Sequence, residues 1–378
     1  MKTDQLLWEN KSSIETILND IEKKANANLI FVFGDRIHFE NEQDWLPYVK
    51  ETYPNAEIVS GTTSGTITNE EIIDQKLCIT AIDFEKSQIK VISQRVGEND
   101  QETNIGTQIG EELATDDLKH IILLCDGFHV RSENLLQGIN EKTDGSVKIT
   151  GGLVASLDDI RKTLVGHNNL PTERNIVAIG FYGDSIRIKH DIHGGWKAFG
   201  PKRLVTKSEK KVLYELDGKN VLELYKKYLG GRTEDLPTSA LRFPLCVHVE
   251  SQSEQLVRAI VDVNEEDQSM MFGGDIPEGS YVQLMKGSYS EIINGLYDTN
   301  IRTSEGDINP QLTFVTSCVG RRMVLGERTE EEMESIREQV GVDSAVLGFY
   351  SFGEFSPSKR GKSSYLHNQT LVLTIFAE

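Results

Sequence analysis

Residues 344–357, SAVLGFYSFGEFSP, decide how this chain is read, together with LHNQTLVLTIFA at 366–377. The run 344–350 is apolar almost throughout, as a strand covered on both faces must be. Residues 351–357 read as a turn and 369–377 as a returning strand. Glu354, His367 and Asn368 are thereby brought to one sheet edge, the place where open α/β sheets bind ligands.

The 378 residues, 38% of them hydrophobic, can bury a large core, and the length suggests two domains. A formal net charge of −19 argues against nucleic acid or an anionic membrane as a partner, since both demand a positive face. Cys78, Cys125, Cys246 and Cys318 are widely spaced, with no CxxC and no His in metal-ligand register. Free thiols in apolar runs fit a reducing compartment. The start, MKTDQLLWEN, lacks a signal core, and no run reaches the roughly 18 apolar residues of a span. The expectation is an untargeted cytoplasmic protein.

Outward from the opening stretch, apolar spacing predicts an amphipathic helix over 1–25, capped at Ser12 or Ser13, then a strand at 29–33, a helix at 44–52 and a strand at 57–60. That order marks a mainly parallel sheet. Hairpins are expected at 76–84/88–94, 175–180/185–190 and 204–206/211–216, with helices at 105–113, 132–139, 220–229 and 289–297. Further strands fall at 120–125, 147–150, 282–285 and 312–317, and a meander at 245–250, 257–262 and 269–272. A charged helix at 329–340 carries Thr329 and Glu332 at capping-box spacing. No internal repeat of fixed period is evident. The fold class is α/β (mixed α+β): two layered domains of mixed β-sheets packed by helices.

Several residues invite a functional reading. The loop Gly61-Thr62-Thr63-Ser64-Gly65 could turn its amides and hydroxyls, Thr62 and Thr63 included, toward an anion, although it is neither a Walker loop nor GxGxxG. Gly151 and Gly152 permit close approach of a backbone or a ligand. His190 and His193 lie three apart in a strand and so face opposite sides, which counts against a shared metal ion. Trp196 could wall a pocket or sit in the core. Cys318 with His367 meets the minimum for a nucleophile and base, without a third group. Arg321 could take a carboxylate through two parallel hydrogen bonds, or pair internally with Glu354. Glu354 could hold an ammonium, with His367 and Asn368 orienting the ligand. A pocket offering both charges suits a zwitterion.

Separated motifs occur in one order: Pro54-Asn55-Ala56 with Gly61 to Gly65, Asp126-Gly127, Gly151-Gly152-Leu-Val-Ala, His193-Gly-Gly-Trp196, Cys318-x-x-Arg321, and Gly348-Phe-Tyr-Ser-Phe-Gly-Glu354 with Leu366-His-Asn-Gln-Thr370. In this the chain resembles the FIST (F-box and intracellular signal transduction) family over residues 28–377. The resemblance implies a FIST N-terminal domain at 28–218 and a FIST C-terminal domain at 219–378, and it leaves the expected N-terminal helix at 1–27 outside. It implies a non-enzymatic sensor of a small ligand, amino acids being the suggested class, with no cofactor. Some relatives are haem proteins that sense nitric oxide and regulate a histidine kinase or a cyclic-di-nucleotide enzyme. A protein of that kind would use haem on His193 or His367. An enzyme using Cys318 is a further possibility, as is signalling through a homodimer.

Overall fold

A computed structural model describes residues 1–8, 26–233, 235–248, 255–295, 308–357 and 363–378. The protein is mixed α+β, built on one plan used three times. In each unit two parallel strands are joined through a helical crossover: Leu29–Gly34 with Glu57–Thr62, Leu118–Cys125 with Lys148–Leu153, and Leu312–Cys318 with Ala345–Ser351. A later strand of the same unit lies antiparallel beside the first of the pair: Leu77–Asp83, Asn175–Tyr182 and Leu371–Ala377. An earlier strand closes that edge: Lys2–Trp8, Gln88–Arg95 and Arg187–His193.

Beside the second parallel strand stands one contributed by a different unit. Thr66–Ile67 of the first unit joins the third unit's sheet, Val165–His167 of the second joins the first, and Gly353–Pro357 of the third joins the second. The units are cyclically laced. One face of each sheet meets a common core, where Phe33 packs at 4.9 Å on Phe349, Phe31 at 5.2 Å on Phe314 and Phe181 at 5.0 Å on Phe376. The opposite faces are covered by helices, among them Trp45–Thr52, Ser132–Lys142 and Thr329–Val340. Burial on both sides explains the uninterrupted apolar strands.

Between Arg187–His193 and Leu312–Cys318 the third unit carries an inserted nine-stranded antiparallel sheet, covered by the helix Val221–Leu229. The boundary expected near residue 218 falls inside it, in the turn between Val212–Leu216 and Lys219–Asn220.

Several local expectations are corrected. Residues 2–8 form a strand, not a helix, because Leu6 and Trp8 alternate inward and pair with Cys78's strand from Lys2↔Asp83 to Trp8↔Leu77. The rest of that helix, with Ser12 and Ser13, lies outside the described residues. Two expected hairpins are crossings between sheets. Phe84 and Ile186 enter the common core, so the chain passes there from one unit to the next rather than folding back. The 204–206/211–216 hairpin forms, as Arg203–Glu209 against Val212–Leu216. The run 257–262 divides into Gln255–Arg258 and Ile260–Asn264, on opposite sides of the inserted sheet. Residues 353–357, read as turn, are the strand lent to the second unit. The capping box at 329–332 does not form: Thr329 Oγ1 donates to Gly326 O at 2.6 Å, and Glu332 is drawn into the interior. The threefold plan was not legible as a sequence repeat, because lent strands and an insertion interrupt its spacing.

Candidate functional site

Thr62, Thr63, Gly152 and Glu354, singled out in the sequence, lie where the units are laced. Thr62 Oγ1 accepts from Leu164 N–H at 3.1 Å, and Thr63 Oγ1 donates to Gly65 O at 2.5 Å while accepting from Tyr350 N–H at 3.2 Å. The Thr62 hydroxyl thus fixes the entry of the lent strand Val165–His167, and the Thr63 hydroxyl that of Thr66–Ile67. Gly152 stands in register with Glu354, which on its other side faces His367. A Cβ on Gly152 would lie 2.5 Å from Gly353 O, so its close approach is to a strand.

Glu354 is fully buried at the hub. Its Oε1 accepts from Ser351 Oγ at 2.6 Å, and its Oε2 accepts from Thr370 N–H at 3.1 Å and Thr370 Oγ1 at 2.8 Å. Burial pushes its carboxyl up to about 7, against the pull of these donors and of the Cys318 thiol. Cys318 ends the strand Leu312–Cys318, with the backbone N–H groups of Gln369, Gly320 and Arg321 directed at its sulfur. Burial, and then the charge of Glu354, nevertheless hold its thiol far above the usual range.

Arg321 does not join this hub. Its Nε and Nη2 donate to Glu332 Oε2 at 3.1 and 2.8 Å, Nη1 to Gly194 O at 2.6 Å, and Nη2 also to Ile292 O at 3.1 Å. Glu332 in turn accepts from the Ser317 and Tyr350 hydroxyls. The guanidinium is buried and committed, so the expected Arg321–Glu354 clamp around one ligand is not the arrangement found. Trp196 packs in the core and donates from Nε1 to Gln369 O at 2.9 Å. Asn368 Nδ2 reaches Phe352 O at 3.4 Å.

His193 donates from Nδ1 to Gly295 O at 2.9 Å, and both it and His367 are buried. A haem needs an axial imidazole facing an apolar slot. Neither histidine is among the residues that line the clefts of about 600 and 960 Å³ formed by the described residues.

Between the three-unit body and the inserted sheet lies a cleft of about 600 Å³. The helix Ser132–Lys142 forms one wall, Leu245–His248 and Gln255–Arg258 the other, and residues 363–366 the floor. At its base the buried Arg258 donates from Nη2 to Glu133 Oε1 at 3.1 Å, from Nε to Asp275 O at 3.1 Å and from Nη1 to Leu366 O at 2.9 Å. Glu133 Oε1 also accepts from Asp275 N–H at 2.8 Å. The Asp275 carboxyl is half-buried and raised, first by burial and then by Glu133, with Lys211, Arg258 and Arg131 pulling the other way. It forms no ion pair among the described residues. Glu133, Arg258 and Asp275 were missed in the sequence. Arg258 sits in an apolar strand, and Asp275 in a Gly-Gly-Asp turn that reads as punctuation; a charge inside the run LVRAIV was the available signal.

The fold is that of a mixed α+β protein with a cleft between its three-unit body and its inserted sheet, beside a buried polar hub. A family model described as the FIST N domain matches residues 28–219, and one described as the FIST C domain matches residues 222–357. The chain belongs to the FIST family, whose domains imply a sensory, signal-transducing role. An uncharacterised protein of Methanocaldococcus jannaschii is 27% identical over 175 residues, 40% of this chain and 34% of that protein. The chain thus spans about a third of the length of this curated relative. Among solved structures, cyanuric acid hydrolase from A. caulinodans aligns with a TM-score of 0.39 at 7% identity, over 100% of this chain and 98% of that one. A second cyanuric acid hydrolase structure aligns at 0.38 and 11%, over 100% and 99%. At these values neither likeness bears on what this chain binds. No helix among the described residues is long and apolar enough to cross a membrane.

Proposed function

We propose that the protein is a non-catalytic sensor that takes a small zwitterion, with an amino acid as the leading class, in the 600 Å³ cleft. The carrying observation is the Asp275 carboxyl, which stands at that cleft without an ion-pair partner among the described residues, beside the buried Arg258. Asp275 suits a ligand ammonium. Arg258 has one Nη2 hydrogen without a partner among the described residues, and with the Asn134 amide it suits a ligand carboxylate. Because one wall belongs to the three-unit body and the other to the inserted sheet, occupancy would bias how the two pack, and a separate signalling enzyme would read that change. The non-catalytic reading is supported by Cys318, whose buried thiol is held in the unreactive protonated form.

Thermal unfolding across the standard amino acids tests the reading. A ligand of the native state alone raises stability with the logarithm of its concentration. At least one amino acid is expected to raise the midpoint of the intact chain, and Asp275→Asn is expected to weaken that binding about tenfold or more, as loss of a charged hydrogen-bond partner does. No stabilisation by any amino acid, or equal stabilisation of the variant, defeats the proposal.

A further inference from the structure

We infer that a second cleft, of about 960 Å³, binds an amphipathic organic carboxylate. Its lining shares no residue with the 600 Å³ cleft. Two cations, Arg242 and Lys286, stand in that lining. Each is held by an aromatic ring. Arg242 Cζ lies 5.6 Å from the Tyr289 ring centroid while its Nη2 donates to Tyr289 OH at 2.8 Å, and Lys286 Nζ lies 5.4 Å from the centroid of Phe199. Neither forms an ion pair among the described residues. In a chain with 59 acidic and 40 basic side chains, acidic partners are plentiful, so two unpaired cations in one cleft mark a local reversal of the protein's field.

Neighbours reinforce that field. Arg328 also lies over the Tyr289 ring, 5.2 Å from its centroid, and Lys197 stands directly across the strand pair from Lys286. Both of these have carboxylate partners, Glu331 at 2.6 Å and Glu291 at 2.6 Å, which leaves Arg242 and Lys286 as the uncompensated pair. Asp235 supplies one carboxylate in the described lining, against two cations.

The remaining lining sets the rest of the ligand's chemistry. Ser239 Oγ is buried with no hydrogen-bond partner among the described residues, a donor available to an anion's oxygen. Leu236, Phe243 and Met323 add apolar surface, and Met323 is 54% exposed. A carboxylate seated on Arg242, Lys286 and Ser239 places an alkyl body against these side chains, while an inorganic anion would leave them wet. An alkylammonium would meet two like charges.

Calorimetric titration of the full chain with octanoate tests the inference, with octylamine and inorganic phosphate as controls. Octanoate is expected to bind saturably, and Lys286→Gln to weaken it about tenfold, the loss expected of one charged hydrogen bond, with circular dichroism confirming that the variant is folded. Arg242→Gln is expected to do the same, with Lys286→Gln as the safeguard should loss of the tyrosine contact unfold it. No octanoate binding, affinity unchanged in folded Lys286→Gln, or octylamine or phosphate binding as tightly as octanoate would each overturn it. Asp275→Asn is expected to leave octanoate binding intact, which separates this site from the zwitterion cleft.

Discussion

Glu354 carries the clearest consequence at the level of single residues. Its carboxyl is pushed up to about 7 in the fold, from an ordinary value of 4.5, so near neutral pH the native state retains a proton that the unfolded chain has already released. The stabilising effect of that proton is complete below about pH 4.5 and disappears as pH rises through about 7. At about 1.36 kcal/mol per pH unit, the cost of ionising it in place is about 3 kcal/mol at pH 8. Urea midpoints at pH 5 and pH 8 should therefore differ less in Glu354→Gln than in the parent chain. An identical pH slope in the two proteins would refute this account of Glu354. Arg321 is held apart from Glu354, with Glu332 beside it and carbonyl oxygens completing its shell. The sequence reading singled out both residues and placed them together. Nothing in a strand-exit motif says that a glutamate eleven residues downstream, in a helix, will claim the guanidinium first.

At the level of elements, the short lent strands are what the sequence disguised. Thr66–Ile67, Val165–His167 and Gly353–Pro357 are too short, or too rich in turn-forming residues, to show a period-two pattern, and their partners lie in other units. The long core strands and the helices Trp45–Thr52, Ser132–Lys142 and Thr329–Val340 were legible, because burial on both faces or on one stripe is written in the residues themselves. Strand partners were not. A hairpin and a crossing between sheets share the same local signal, and the choice was made by Phe84 and Ile186 entering the common core. Gly152 tests the lacing directly. A methyl group there would press on Gly353 O and on Thr316 Cγ2, 2.9 Å away, and strand backbone cannot swing aside as a flexible side chain can. Gly152→Ala should lower stability by about 1–3 kcal/mol in urea unfolding, with faster amide exchange in Gly353–Pro357. A neutral substitution would mean that the lent strand is not held where it is described.

Across the whole molecule, lacing makes each sheet depend on a distant part of the chain. The second unit's sheet, assembled from residues 88–182, is completed by Gly353–Pro357 and Ser364–His367, and the third unit's sheet by Thr66–Ile67 and Arg187–His193. The junction between the two family-matched segments, at 219–222, therefore does not separate two self-contained cores. A fragment ending at residue 219 keeps the first two units but loses the third unit's sheet. Phe314, Phe349 and Phe376 then no longer cover Phe31, Phe33 and Phe181, and Glu354 no longer sits between Gly152 and His367. Removing three buried aromatic side chains from one core, at about 3–5 kcal/mol each, costs as much as the whole stability of an ordinary domain, about 5–15 kcal/mol. The fragment should accordingly show no cooperative thermal transition, whereas the full chain's three-unit body should unfold in one step, with near-ultraviolet dichroism and tryptophan fluorescence changing together. A fragment that melts cooperatively at the temperature of the full chain would show that the units are independent and that the exchanged strands contribute little to holding them.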